Sequence, residues 1–135
     1  MPVSRRLLLS TTALSVLAPA LARAQKKAEL PLPALGSAVP LAPAPLLLGG
    51  EFQPAQAEGK ALVLYWWASW CPFCAQQSPE MQKLWESQQG KGLQMLALSI
   101  DKTPEPAVAY LRKKGYTFPA AWLSPELAKV YPKPE

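Results

Sequence analysis

The chain contains no histidine and only two cysteines among its 135 residues. Without histidine there can be no Ser-His-Asp or Cys-His nucleophile arrangement, no histidine metal site and no usual general base near neutral pH. Any chemistry falls to thiols, carboxylates, lysines or hydroxyls. Two thiols are half the ligand set of a structural zinc site, which would have to be shared between molecules. A c-type haem needs histidine directly after the second cysteine of C-x-x-C, and Ala75 stands there. Charge is also sparse: 17% of residues are charged against 50% apolar, the balance of a globular chain. The length suits one domain at most. No basic stripe interleaved with aromatics occurs, so nothing supports nucleic-acid binding. The run Arg112–Lys114 suits the last turn of a helix, where basic residues meet the negative end of the dipole. There are no internal repeats.

Residues 1–24 read as an export signal. Arg5 and Arg6 form a positive n-region, an apolar stretch runs from about Leu7 to Leu21, and Ala22-Arg23-Ala24 is a small-x-small cleavage site. The stretch is short and too polar for a comfortable membrane span, although an uncleaved anchor is the alternative. The paired arginines also fit a twin-arginine signal. Localisation is therefore expected to be exported and periplasmic, with no lipid-bearing cysteine at the cleavage point. Arg5, Arg6 and Arg23 leave with the signal, so 14 basic residues become 11 against 9 acidic ones, a net charge of +2.

Residues 25–58 are expected to be an extended, Pro-rich lead-in. Prolines at 31, 33, 40, 43, 45 and 54 deny it a long helix, while "PLLLGGEFQP" could hold a short strand and turn. From residue 59 to 135 the pattern is that of an α/β domain. Ala61–Ala68 is a continuous apolar run that suits a strand buried on both faces. After the cysteines, Ala75, Met81, Leu84 and Trp85 outline a helical face ending near Gly90, with Pro79 inside it. Leu93–Ile100 reads as a second buried strand. A second helix follows, with Thr103 at its N-cap, Pro104 in its first turn and Gly115 at its end. "YTFPAAWL" suggests a third strand, and Ser124-Pro125 the start of a third helix. Strand and helix alternate as in βαβ units on a mostly parallel sheet.

Cys71 and Cys74 carry the chemistry. A purely structural disulfide across so short a loop would constrain the unfolded chain little. Two thiolates could hold Cu(I), giving a periplasmic copper carrier as an alternative. The redox reading has a positive physical basis. A cysteine between a buried strand and a helix N-terminus meets unpaired backbone N–H groups and the positive end of the dipole, which stabilise thiolate over thiol. Cys71 is then the nucleophile and Cys74, one turn on, the resolving thiol.

The stretches "VLYWWASWCPFCAQQSPEM", "LQMLALSID" and "YTFPAAWLSPELAKVY" resemble the thioredoxin superfamily, and most of all its exported TlpA/ResA-like thiol–disulfide oxidoreductases. Trp67, Ala68, Trp70, Cys71, Cys74 and Pro79 match the motif position by position over a resemblance spanning about residues 50–131. It implies a redox-active Cys71–Cys74 pair with no cofactor and no metal. It also implies substrate contacts at Trp70, Pro72 and Phe73, substrate proteins with disulfides, and a membrane or periplasmic dithiol electron donor. Members often keep apocytochrome c or copper-site cysteines reduced. Many carry a buried carboxylate beside the pair, where this chain has Tyr65 and Gln77. The family continues after its third helix with a cis-proline loop, two antiparallel strands and a helix. The expected fold class is thus the βαβαβα portion of a thioredoxin-like mixed sheet, C-terminally incomplete, with an unpaired edge at Ala61–Ala68 open to transient self-association. A truncated longer product, a strand supplied by a partner or second copy, and a minimal or non-functional fragment are the explanations this leaves.

Overall fold

A computed structural model describes residues 33–134; the export signal expected at 1–24 lies outside them. The elements run β1 (Ala44–Pro45), β2 (Glu51–Phe52), a 3-10 turn (Pro54–Ala57), β3 (Ala61–Trp67), α1 (Pro72–Gln88), β4 (Leu93–Ser99), α2 (Pro104–Lys114), β5 (Ala120–Trp122) and α3 (Leu127–Val130). The main sheet has the order β3-β4-β5, all parallel. A bridge from Leu46 to Ala121 brings the β1–β2 hairpin antiparallel onto β5, which makes the sheet mixed. This is the expected thioredoxin-like α/β fold with its βαβαβα order. No helix among the described residues is long and apolar enough to cross a membrane.

The period-2 alternation of the strands divides the core in two. Val63, Tyr65 and Trp67 of β3, with Met95 and Ala97 of β4, face α1 and α2 and pack against Leu111 and Phe118. Both crossover helices lie on this face, so both crossovers have the same hand. Leu62, Leu64, Trp66, Leu96 and Leu98 face the other way, against Ala44, Phe52, Ala57 and the α3 turn. The Tyr131 hydroxyl closes that side. It accepts from the Ala42 N–H at 2.8 Å and donates to the Ala42 carbonyl at 2.7 Å.

Several expectations need correction. β3 is not buried on both faces: Leu62–Trp66 are only half-buried, and Ala61 is exposed. Among the described residues no strand pairs with its outer edge. The doubly buried strand is β4, flanked on both sides, with Met95–Ser99 all buried. The expected apolar face of α1 holds only in part: Met81, Leu84 and Trp85 pack against the core. Ala75 is exposed, while the polar Ser78 and Gln82 are buried. Their polarity is met in place: Gln82 accepts from the N–H groups of Thr117 (2.8 Å) and Phe118 (3.2 Å) and donates to Thr117 Oγ1 (2.8 Å). Cross-links of this kind make burial tolerable and hold α1 against the loop that feeds β5.

The helix ends follow their capping residues. α1 runs through Pro79 to Gln88. Gly115 closes α2 in the left-handed conformation, φ 69°, and the Tyr116 N–H reaches back to the Leu111 carbonyl at 3.0 Å. Thr103 occupies the α2 N-cap position but gives it no side-chain cap bond. The third helix is a single turn, Leu127–Val130, whose Leu127 N–H is accepted by Ser124 Oγ at 3.2 Å.

Candidate active site

β3 delivers the chain to the end of the sheet, where it turns tightly. The Cys71 N–H donates to the Ala68 carbonyl at 3.3 Å, and Cys71 sits at the N-cap of α1 with φ −85° and ψ 118°. Pro72 fills the first helical position, where a missing N–H costs nothing. The Cys71 carbonyl accepts the first intrahelical bond, from Ala75 N–H at 3.0 Å. Its side chain caps the helix: Sγ accepts from the Cys74 N–H at 3.3 Å. A thiolate in this place replaces the oxygen of an ordinary N-cap, and no acidic residue in the first turn opposes it.

The two thiols are unbridged and differ in environment. The Cys74 thiol hydrogen bond, followed by the backbone N–H groups of Cys74 and Phe73, draws the Cys71 thiol below its ordinary value. Burial, and then its own bond to Cys71, pushes the Cys74 thiol up. Cys74 packs on the helix-covered core, as Tyr65 and Tyr110 do, while Cys71, also half-buried, is not part of that core. Trp70 (68% exposed) and Phe73 (79% exposed) stand free on either side of Cys71, and Pro72 is also exposed. Trp67 is buried and packs on Tyr110 and Phe118, with ring centroids at 5.6 and 6.4 Å.

The two positions where the resembled family often carries a carboxylate differ. Gln77 is exposed on the outside of α1. Tyr65 lies in the core, its hydroxyl 3.1 Å from Ser78 Oγ, and burial pushes its phenol up to about 12. A phenol so shifted stays neutral across the working pH range and cannot serve there as a base. Glu80 is solvent-exposed and pairs with Lys83 at 2.8 Å, a contact of small energetic weight. Among the described residues no cluster of three or more His, Cys, Asp or Glu side chains is placed to hold a metal.

One group the sequence reading passed over lies behind the turn. Asp101, just past β4, is 5% exposed. Its carboxylate accepts from Ser69 N–H (3.1 and 3.3 Å), Ser69 Oγ (2.6 Å) and Ser99 Oγ (2.7 Å). Its carbonyl accepts from Trp122 Nε1 at 2.8 Å. The available signal was a carboxylate placed just after an apolar strand, where burial demands partners.

Comparison with known proteins places this geometry in context. A family model described as the AhpC/TSA family matches residues 35–130. The thiol-disulfide oxidoreductase ResA of Oceanobacillus iheyensis is 34% identical over 67 residues, half of this chain and 35% of that protein. ResA of Geobacillus thermodenitrificans is 29% identical over 86 residues, 64% of this chain and 49% of that one. The chain thus spans between about a third and a half of the length of these curated relatives. Among solved structures, a thioredoxin-family thiol:disulfide interchange protein from Chlorobium tepidum superposes with a TM-score of 0.67 at 22% identity. That match covers 74% of this chain and 69% of the other, a likeness of fold.

Proposed function

The chain belongs to the AhpC/TSA family, and we propose that it works as an exported, ResA-like thiol–disulfide oxidoreductase with Cys71 as nucleophile and Cys74 as resolving thiol. The observation that carries this reading is the cap bond: Cys71 Sγ takes the helix's own N–H at the exposed end of α1, with the second thiol held one turn behind it. The Cys71 thiolate attacks one sulfur of a substrate disulfide and expels the other as a thiolate, leaving a mixed disulfide. Cys74 loses its proton and attacks Cys71 Sγ, which releases the second substrate thiol and closes the Cys71–Cys74 disulfide. Two electrons pass to the substrate, and an extracytoplasmic dithiol donor restores the pair. Trp70, Pro72 and Phe73 form the apolar surface on which the substrate segment lands. Substrates are proteins with accessible disulfides, apocytochrome c and copper-site cysteine pairs among them. Export rests on residues 1–24.

Catalysed reduction of insulin disulfides by the chain, with a small dithiol as electron source, tests the reading. Turnover well above the dithiol alone is expected. No acceleration, together with tight one-to-one Cu(I) uptake, would replace it with the copper-carrier alternative.

A further inference from the structure

We propose that Asp101 is a positioning residue for the attacking cysteine, acting through Ser69 to hold the turn that places Cys71 at the helix cap. This rests on the reading of Cys71 as the nucleophile and extends it to a group just past a neighbouring strand.

Nothing but position connects Asp101 to the thiols, since it lies 30 residues after Cys71 and on the far side of α1 in sequence. In space it gathers the C-terminal ends of all three parallel strands: Ser69 just after β3, Ser99 at the end of β4, and Trp122 at the end of β5. Both the N–H and the hydroxyl of Ser69 point at the one carboxylate. Ser69 is the second residue of the turn closed by the Cys71 N–H to Ala68 carbonyl bond. Holding Ser69 therefore holds the turn, and with it the backbone angles that aim Cys71 Sγ at the Cys74 N–H. A buried carboxylate with three charge-assisted bonds is stiff and specific, and it becomes costly if a partner is lost. Fixing the nucleophile from a rigid strand end is how a site on a loop acquires the precision of the sheet.

Electrostatics and positioning predict opposite signs here. If Asp101 acted on Cys71 only as a negative charge, neutralising it would stabilise the thiolate and lower the Cys71 pKa. If it acts by holding the turn, neutralising it frees the cap geometry, and the pKa rises toward that of a free thiol.

The test measures Cys71 alkylation by iodoacetamide against pH, resolved by mass spectrometry, on the reduced full chain and on Asp101→Asn and Ser69→Ala. Circular dichroism reports folding in parallel. A raised Cys71 midpoint in folded Asp101→Asn, with a roughly tenfold slower reaction at pH 7, is the expected result, because each unit of pKa above the pH removes tenfold of the thiolate. Ser69→Ala keeps the N–H bonds and loses the hydroxyl one, so a smaller shift of the same sign is expected. It also stands in as the deciding variant if Asp101→Asn fails to fold. An unchanged or lowered midpoint in the folded variant overturns the inference while leaving the nucleophile reading intact. A parent chain whose two cysteines titrate alike, near the free value, overturns both.

Discussion

Cys71 and Cys74 are one helical turn apart, yet their surroundings drive them in opposite directions. Cys71 is at the cap, half-buried and fed by backbone N–H groups; Cys74 packs against the helix-covered core, as Tyr65 and Tyr110 do. The contrast shows that C-x-x-C spacing supplies two thiols, while the asymmetry between them comes from the strand–turn–helix junction. The two shifts are linked, because the Cys74 thiol helps lower Cys71 and Cys71 in turn helps raise Cys74.

The largest effect should be in reactivity. At pH 7 Cys71 should be alkylated about tenfold or more faster than Cys74, and its rate should level off below the pH at which a free thiol does. Residue-resolved rates check this, and equal rates would dissolve the contrast. The sign of the linkage follows. Cys71, lowered on folding, contributes stability that is present above the unfolded thiol value and lost as pH falls through its lowered one. Cys74, raised on folding, contributes stability that is present below the unfolded value and lost as pH rises through its raised one. The two contributions oppose each other, so pH should change reactivity much more than melting temperature.

The core beneath the pair comes next. Phe118 packs on Tyr65, Trp67 and Tyr116 and is 2% exposed. Phe118→Ala should cost about 3–5 kcal/mol in urea unfolding. A cost under about 1 kcal/mol would mean that this face does not support the site as described. Tyr65→Phe is milder. It removes the partner of the buried Ser78 hydroxyl and should cost about 1–2 kcal/mol. The neutral phenol takes no proton, so the Cys74 alkylation profile should stay in place. A clear shift of that profile would give Tyr65 a part in proton handling. Smallest of all, Phe73→Ala should leave stability within about 0.5 kcal/mol and small-reagent alkylation unchanged. It should also weaken use of a protein disulfide roughly fivefold. Equal losses with small and large substrates would place Phe73 in the chemistry instead of the landing surface.

Much of this was legible in the sequence where local chemistry decides. Cys71 at the helix start followed from an apolar run meeting C-P-x-C, and the α2 limits from Thr103-Pro104 and Gly115. The legible part stopped where tertiary partners decide. Ser78 and Gln82 are polar, so apolar periodicity placed Ala75 on the buried face instead; only the facing Tyr65, Thr117 and Phe118 make their burial acceptable. The apolar run of β3 reads the same as that of β4, although among the described residues only β4 of the two has neighbours on both edges. Asp101 escaped notice because its main partner, Ser69, lies 32 residues away in sequence, and pattern alone cannot show that a carboxylate after a strand turns inward.

The measurement that meets the central claim most directly is a trapping experiment with single-cysteine variants and an oxidised protein substrate, with the adducts mapped by mass spectrometry. Cys74→Ser should accumulate a stable mixed disulfide through Cys71, and Cys71→Ser should form essentially none. Equal adducts from both variants, or trapping through Cys74 alone, would contradict the division of roles that the helix cap assigns to the pair.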